Sequence, residues 1–159
     1  MNRSFDARKL AFAGMIAALY AVVTLLLRPI SYGEMQVRVS EALTLLPILT
    51  PAAVPGLFVG CLIANVLGSA TIWDMVFGSL ATLIAALITR RLRRKPALAA
   101  LAPVVMNGLV VGLVLHFTLN LPLLATMLWV ALGEAVACYA LGLPLLWALK
   151  KLPEKYFPQ

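Results

Sequence analysis

Apolar residues form four long stretches along the chain, at roughly residues 10–27, 42–68, 75–89 and 97–149. A helix needs about 20 apolar residues to cross a bilayer, so this pattern is typical of a membrane protein. The last stretch is long enough for two helices, because a polar, proline-containing turn at residues 116–122 interrupts it. Thr50-Pro51, with further prolines nearby, predicts a break in the second stretch. The pattern therefore predicts an all-α membrane protein, a bundle of six transmembrane helices.

The basic residues lie in three clusters, and the clusters predict the orientation of the bundle. They are Arg3, Arg8 and Lys9 before the first stretch, Arg90, Arg91, Arg93, Arg94 and Lys95 after the third, and Lys150, Lys151 and Lys155 after the last. Because Lys and Arg in short loops remain cytoplasmic, an even number of crossings must separate each pair of clusters. Six helices satisfy this condition with both termini in the cytoplasm and with Arg28 and Arg38 outside. A helix over residues 39–49, at about 1.5 Å per residue, is too short to cross alone unless it begins within the preceding loop.

Composition narrows the class of protein further. Of the 159 residues, 63% are hydrophobic and 12% are charged, and the mean hydropathy is +0.99. The net charge of +7 comes from clusters at helix ends rather than from a stripe interleaved with aromatic residues, so nucleic-acid binding is not expected. We expect residues 1–159 to form one integral domain in the cell membrane, with the first stretch retained as a helix because no convincing cleavage site follows it. Cys61 and Cys138 are interpreted as small buried hydrophobes.

The segment between the first two helices has a different periodicity. From residue 34 to residue 41 polar and apolar side chains alternate, with Met35, Val37 and Val39 on one side and Glu34, Gln36, Arg38 and Ser40 on the other. A period of two is typical of extended chain, and Tyr32-Gly33 favours a turn before it. We therefore predict an extended outer loop between helices 1 and 2. It would either lie across the mouth of the bundle as a lid or serve only as a connector.

Polar residues inside apolar helices are unfavourable, at about 2.5–3.5 kcal/mol for a central charge, so each requires an explanation. Glu134 lies about ten residues into the last helix, roughly 15 Å deep, and Asn107 lies at a similar depth in the helix before it. The two residues are predicted either to form the floor of a binding pocket or to hydrogen-bond each other and lock the bundle.

Further candidates for substrate binding are concentrated toward the outer half, which favours a cup that opens outward over a continuous pore. They are Glu41, Asn65, Asp74, Arg38, Trp73, Trp129 and His116. Asp74 begins a helix, where a negative charge is favourable in any case. The two tryptophans suit the membrane interface, although they could also sandwich a planar ring. His116 has no partner at metal-ligand spacing and is interpreted as an interfacial cap, so no metal site is expected.

Small residues repeat at every fourth position in several helices. The repeats are Ala13, Ala17 and Ala21, then Gly56, Gly60, Ala64 and Gly68, and finally Gly108 and Gly112. Such faces allow helix backbones to approach closely in lipid. Packing within the bundle is the simpler interpretation, and the alanine face of the first helix is our candidate for docking another membrane subunit.

The chemistry of these residues favours binding over catalysis. A carboxylate with amide neighbours suits a ligand that offers several N–H donors, such as a guanine edge, and a charged amine on that ligand would need a second acid, Asp74 or Glu41. An enzyme is the first alternative, but the chain has one histidine and neither His-Glu-x-x-His nor Gly-x-Ser-x-Gly, so no catalytic residue or cofactor is predicted. The second alternative is a scaffold protein whose buried polar groups only fix helix packing.

Three motifs resemble the QueT transporter family. They are Gln36-Val37-Arg38-Val39-Ser40-Glu41-Ala42-Leu43, then Pro55-Gly56-Leu57 with Ile63-Ala64-Asn65, and the run of residues 73–83 that begins Trp73-Asp74-Met75. The resemblance covers nearly the whole chain, and the first four helices carry the specific motifs. Proteins of that family resemble the substrate-binding S-components of energy-coupling factor transporters, which are a type of ABC importer.

The resemblance implies a six-helix fold, a substrate site near the outer face and a lid formed by the loop after helix 1. It implies as partners a membrane coupling subunit, which would meet Ala13, Ala17 and Ala21, and two cytoplasmic ATPases. The implied substrates are queuosine precursors, namely 7-cyano- or 7-aminomethyl-7-deazaguanine or the queuine base, and another vitamin-like solute is the alternative. The chain has no Gly-rich Lys-Ser/Thr phosphate loop, so ATP hydrolysis would come from the partners.

Overall fold

The computed structural model describes residues 7–32, 37–68 and 71–159, and these ranges are helical and contain no strand. The α-helices are α1 (Ala7–Leu26), α2 (Arg28–Ser31), α3 (Ala53–Leu67), α4 (Ser79–Arg91), α5 (Pro96–Ala99), α6 (Leu101–Leu119), α7 (Leu123–Ala135) and α8 (Leu143–Leu149). A 3₁₀ helix, Val39–Ile48, lies between α2 and α3, and a shorter one, Glu154–Tyr156, follows α8. Two π-helical segments, Asp74–Gly78 and Val136–Gly142, lead into α4 and α8. The predicted all-α class is confirmed.

The exterior of the bundle is apolar. Within the described ranges, three helical runs are long and apolar enough to cross a membrane, Ala7–Leu26, Pro96–Leu119 and Leu123–Leu149, and Val39–Ile48 and Ala53–Leu67 are shorter apolar helices. Leu26, Phe117 and Leu124 are each more than 70% exposed. An apolar outer surface of this extent requires lipid as its solvent, so the chain is a multi-pass membrane protein.

The longer 3₁₀ helix lies at the centre of the bundle. Eight of its ten residues are buried, and it packs against α1, α3, α4 and the second π-helical segment. A 3₁₀ helix rises about 2.0 Å per residue, so ten residues extend about 20 Å instead of the 15 Å of an α-helix. This geometry makes the segment about 5 Å longer than an α-helix of ten residues, and its last two residues lie beside Arg90.

The predicted extended loop is wrong for its second half. Arg38 has extended backbone angles, φ −89° and ψ 99°, but the 3₁₀ helix already begins at Val39, and residues 33–36 lie outside the described ranges. The described polar side of the alternation faces inward, since Arg38 and Ser40 are buried. Contacts with polar groups on other helices therefore override the local preference for extended chain that the period of two predicts.

The described residues of the three basic clusters meet at one end of the bundle, which we call the basic end. Arg8 donates a hydrogen bond to the Lys155 carbonyl, and Arg90 Nη1 donates to the carbonyls of Pro47 at 3.0 Å and Ile48 at 3.3 Å. The clusters therefore share one side, as the orientation argument requires. The six-helix count and the cytoplasmic termini stay predictions.

The C-terminal tail covers the basic end. The Thr50 hydroxyl donates a hydrogen bond to the Pro158 carbonyl, and the rings of Phe12 and Phe157 meet edge to face with centroids 6.3 Å apart. These contacts join the tail to α1 and to the turn after the 3₁₀ helix, so the tail packs over this end of the bundle.

Small residues bring α1 and α3 into close contact. A Cβ added at Gly56 would lie 2.7 Å from the Ala13 carbonyl oxygen, and one added at Gly60 would lie 2.9 Å from the Ala17 carbonyl oxygen. The packing interpretation of these two repeats is therefore confirmed.

Candidate binding site

Seven polar side chains meet in the interior of the bundle, and we call them the polar cluster. They come from α1, the 3₁₀ helix and the residue before it, α6 and α7, and they are Tyr20, Thr24, Arg38, Ser40, Glu41, Asn107 and Glu134. None is more than 4% exposed. Because an unpaired polar group in an apolar interior is strongly unfavourable, the contacts of each side chain indicate whether it is structural or prepared for a ligand.

Hydrogen bonds between α1 and the 3₁₀ helix hold one side of the polar cluster. The Tyr20 hydroxyl donates to Glu41 Oε1, and the hydroxyls of Thr24 and Ser40 lie 2.6 Å apart. Tyr20 and Thr24 are four residues apart and therefore face the same side of α1. These contacts position the Glu41 carboxylate but leave its second oxygen without a protein partner.

Arg38 is a buried cation that has no carboxylate within 4 Å among the described residues. Its Nε donates to the Ser31 carbonyl at 3.4 Å, and its guanidinium carbon lies 5.2 Å from the centre of the Tyr32 ring. It is close enough to Glu41 and Glu134 to interact with both electrostatically. Arg38 therefore supplies positive potential to the polar cluster, while the end of α2 sets its position.

Asn107 lies between the two acids of the polar cluster. Its amide interacts with the carboxylates of both Glu41 and Glu134. Glu134 Oε2, Glu41 Oε2 and Asn107 Oδ1 are buried acceptors without a protein partner. Each unsatisfied buried acceptor costs about 1–3 kcal/mol. Three of them on mutually interacting side chains indicate a site prepared for a ligand that carries several donors.

Asn65 and Asp74 form a second polar pair beside the cluster. Asn65 Nδ2 donates to the Asp74 backbone carbonyl at 3.1 Å, and the Thr71 hydroxyl donates to Asp74 Oδ2 at 2.8 Å. The Oδ1 atom of each residue is a buried acceptor without a protein partner. Cys61 connects the pair to the cluster, because its sulfur lies 3.6 Å from Asn65 Nδ2 and it interacts with Arg38.

Tyr32 anchors the loop after α1 to the end of α3. Its hydroxyl donates to the Ala64 carbonyl at 2.7 Å, and its ring occupies the space that a Cβ at Gly68 would need. Burial raises the pKa of the Tyr32 hydroxyl, so the group stays a neutral donor. Because the same ring contacts Arg38, the position of the loop is coupled to the positive charge in the polar cluster.

Comparison with known proteins assigns the chain to a family. A family model described as "QueT transporter" matches residues 10–151. This chain belongs to the QueT transporter family. A relative described as "Queuosine precursor transporter QueT", from Lactococcus lactis subsp. cremoris (strain MG1363), is 39% identical over 72 residues, which are 44% of this chain and 42% of the relative. The chain therefore aligns with less than half of that relative's length. No solved structure matches the chain.

The structure brings together in this QueT family member four of the residues predicted to bind substrate. Arg38, Glu41, Asn107 and Glu134 are members of the polar cluster, and Asn65 and Asp74 lie beside it.

Three predicted residues lie away from the polar cluster. Trp73 is 56% exposed and stacks on Phe77 with ring centroids 5.9 Å apart, while Trp129 is 47% exposed on α7. His116 is half-buried, and its Nδ1 lies 2.5 Å from the Leu121 carbonyl oxygen across the turn between α6 and α7. We therefore leave the two tryptophans and the histidine out of the proposed site.

The sequence analysis of this family member missed three members of the polar cluster, which are Ser40 and, on α1, Tyr20 and Thr24. The last two are polar residues in an otherwise apolar first helix, and their spacing of four places them on one face. That spacing of two polar residues was the feature of the sequence that could have indicated a polar face on α1. The partner of Tyr20, Glu41, lies 21 residues further along the chain, so only the packing of α1 against the 3₁₀ helix brings the two together.

An apolar groove of about 670 Å³ lies between α1 and the start of α3. Two of the three residues predicted for docking, Ala13 and Ala17, line it together with Gly14. The space beside Gly14 is open, because a Cβ there would meet nothing within 4 Å. The third residue, Ala21, is 5% exposed and packs in the core between α1 and α3.

Proposed function

We propose that this chain is the substrate-binding subunit of an importer and that it captures a queuosine precursor in the polar cluster. The observation that carries the proposal is the set of buried acceptors without a protein partner on Glu41, Asn107 and Glu134. The match to the QueT transporter family and the name of the Lactococcus relative support the same substrate class.

The chemistry of a deazaguanine fits these acceptors. Its ring N–H and exocyclic amino group lie side by side on one edge, and one carboxylate can accept both hydrogen bonds, as it does from the fork of an arginine. Glu134 is the proposed acid for this edge, because its Oε2 is a buried acceptor without a protein partner. Asn107, which can both donate and accept, lies beside it and suits the remaining polar atoms of the ring.

Substrate would enter at the end opposite the basic end. Arg38 is the member of the polar cluster nearest that end and contacts the Tyr32 ring, whereas the C-terminal tail packs over the basic end. The loop after α1 is the proposed lid, because Tyr32 joins it to α3 and also holds Arg38 beside the acids. The resulting site opens outward when the basic end lies in the cytoplasm, as the distribution of Lys and Arg favours.

Release into the cell would require partners. We propose a membrane coupling subunit and two cytoplasmic ATPases, as in energy-coupling factor importers, since this chain has no phosphate-binding loop of its own. The apolar groove lined by Ala13, Gly14 and Ala17 is the proposed docking surface, because small residues let a partner helix approach closely.

Calorimetric titration of the purified, detergent-solubilised chain tests the proposal. The ligands are 7-aminomethyl-7-deazaguanine, its 7-cyano analogue and guanine. We expect saturable binding that weakens at least about 30-fold in Glu134→Gln, because removing one partner of a buried charge-assisted hydrogen bond costs at least about 2 kcal/mol. Glu154→Gln is the matched control, since Glu154 is exposed on the tail at the basic end. Circular dichroism and thermal unfolding confirm that each variant is folded.

Each outcome has a distinct meaning. Binding that is unchanged in Glu134→Gln would keep the function and assign the ring edge to another acceptor. If none of the three compounds bound to a folded sample, the proposal would be contradicted and the search would move to other vitamin-like solutes. A normally folded Glu134→Ala variant of a chain that binds no small solute would favour the scaffold interpretation.

A further inference from the structure

The charges in the polar cluster do not balance. Glu41 and Glu134 can each carry a negative charge, Arg38 carries the only positive charge that interacts with them among the described residues, and all three side chains are at most 4% exposed. The two acids also interact with each other. With both carboxylates ionised, the cluster has a net charge of one negative unit, and a buried net charge is unfavourable.

Asp74 does not alter this balance. It is not among the groups that interact electrostatically with Arg38 or Glu134. Its carboxylate accepts the Thr71 hydroxyl at 2.8 Å, and it begins a helical run, where the partial positive charge of the helix start stabilises an acid.

From this balance we infer that the polar cluster selects a ligand with one positive charge, so that the aminomethyl precursor is bound in preference to the neutral cyano precursor. The inference rests on the proposed function and specifies which member of the substrate class the site takes. The ammonium group of the aminomethyl compound completes the neutrality of Arg38, Glu41 and Glu134, whereas the cyano compound gives a neutral complex only when one of the two acids binds a proton.

The geometry also assigns different roles to the two acids. Glu41 Oε1 already accepts the Tyr20 hydroxyl, so Glu41 offers one free oxygen, Oε2, which suits a single ammonium hydrogen. Glu134 is assigned to the guanine edge because its Oε2 is a buried acceptor without a protein partner, and Asn107, which interacts with Glu134, can hydrogen-bond further polar atoms of the ring. Glu41 is therefore the specificity-determining residue and Glu134 holds the base.

Charge selection predicts that the complexes with the two ligands bind different numbers of protons. A neutral complex with the aminomethyl ligand has both acids ionised, whereas a neutral complex with the cyano ligand keeps one proton on the coupled pair of Glu41 and Glu134. The two complexes thus differ by one bound proton, whatever the protonation of the empty site. By linkage, the ratio of the two affinities changes tenfold per pH unit and rises in favour of the aminomethyl ligand as the pH rises.

Other titratable groups face the two acids from the helices packed around them. The protonation of these groups contributes equally to the number of protons exchanged when either ligand binds. The groups are Tyr20 on α1, Cys61 on α3, Cys138 in the second π-helical segment and, across Arg38, Tyr32. This common contribution cancels when the number of protons exchanged with one ligand is subtracted from the number exchanged with the other.

Titration calorimetry of the full chain in detergent, with the two precursors and in pairs of buffers of different ionisation enthalpy, measures both quantities. Between pH 6 and pH 8 we expect the aminomethyl ligand to release one proton more than the cyano ligand and the ratio of affinities to rise by about 100-fold. A ratio that is independent of pH, with equal proton counts, would overturn charge selection and leave the proposed function intact. Absence of binding by both ligands would instead contradict the proposed function.

Glu41→Gln provides a second test. The substitution removes one negative charge, so we expect the preference between the two ligands to reverse, with the aminomethyl affinity falling at least about 30-fold. The matched control is Glu154→Gln, which removes the same charge at the basic end and is expected to keep the original preference. An unchanged preference in folded Glu41→Gln contradicts the assignment of the ammonium group to Glu41. If that variant does not fold, the proton count on the unmodified chain still decides the question.

Discussion

The hydroxyl of Tyr20 on α1 donates a hydrogen bond to the carboxylate of Glu41 on the 3₁₀ helix, and both side chains are completely buried. In Tyr20→Phe the ring remains, but Glu41 loses its donor. We expect the free energy of unfolding to fall by about 1–3 kcal/mol, the cost of an unsatisfied buried acceptor. Thermal or denaturant unfolding in detergent measures the change, with the exposed Tyr156→Phe as the control. Equal stability of the two variants would show that this contact does not hold the site.

Two glycines near the groove should respond to alanine in opposite directions. A Cβ at Gly60 would lie 2.9 Å from both the Ala17 carbonyl oxygen and the Tyr20 Cβ, so Gly60→Ala is expected to reduce stability by about 1–3 kcal/mol. Gly14→Ala adds its methyl group in open space and should stabilise α1 by up to about 1 kcal/mol through helix propensity. Parallel unfolding curves compare the two, and destabilisation by Gly14→Ala alone would contradict the packing described for α1.

Arg90 stabilises the end of the 3₁₀ helix by donating to the carbonyls of Pro47 and Ile48. Arg90→Gln should lower the free energy of unfolding by about 1.5–3 kcal/mol, because the hydrogen bonds from a charged donor are lost. Its neighbour Arg91 is exposed, and Arg91→Gln removes the same charge without these bonds. Unfolding measurements that give the same loss for both variants would attribute the effect to charge alone.

If the loop after α1 is a lid, its anchor should control the release of ligand. Tyr32→Phe keeps the ring against Arg38 but loses the hydrogen bond to Ala64, and we expect dissociation to become about threefold to tenfold faster. Tyr32→Leu also removes the cation–π contact and should accelerate dissociation several-fold more. Stopped-flow displacement of the bound precursor measures these rates. Unchanged dissociation in both variants would favour the connector interpretation of the loop.

The orientation of the bundle can be tested by cysteine labelling in intact cells. Cys61 and Cys138 are completely buried and provide an unreactive background. Arg28→Cys, at an exposed position beyond α1, should react with a membrane-impermeant maleimide added outside. Lys151→Cys, at the exposed basic end, should react only after the membrane is permeabilised. The opposite pattern would invert the predicted orientation and place the polar cluster toward the cytoplasm.

The sequence analysis named four of the seven residues of the polar cluster because polar side chains are costly in lipid. Glu134 and Asn107 stand out in apolar helices, and each must face the protein interior wherever its helix packs. Glu41 was recognised as an outer-half acid, although its helix was expected to be extended chain at that point. Trp129 and His116 were predicted to bind substrate from their side-chain chemistry alone. The packing places both outside the polar cluster. An aromatic or imidazole ring is also stable at the membrane interface, so its chemistry does not require a place in the interior.

The sequence by itself determined the helical class, the membrane environment and the separation of basic and acidic residues, because the free energy of burying each side chain in lipid depends mainly on that side chain. Only the tertiary structure decided that residues 39–48 form a 3₁₀ helix and that Tyr20, Glu41, Asn107 and Glu134 meet in one cluster. Hydropathy contains no information about which face of one helix meets which face of another. That choice depends on the close approach of small residues and on hydrogen bonds between segments far apart in the chain.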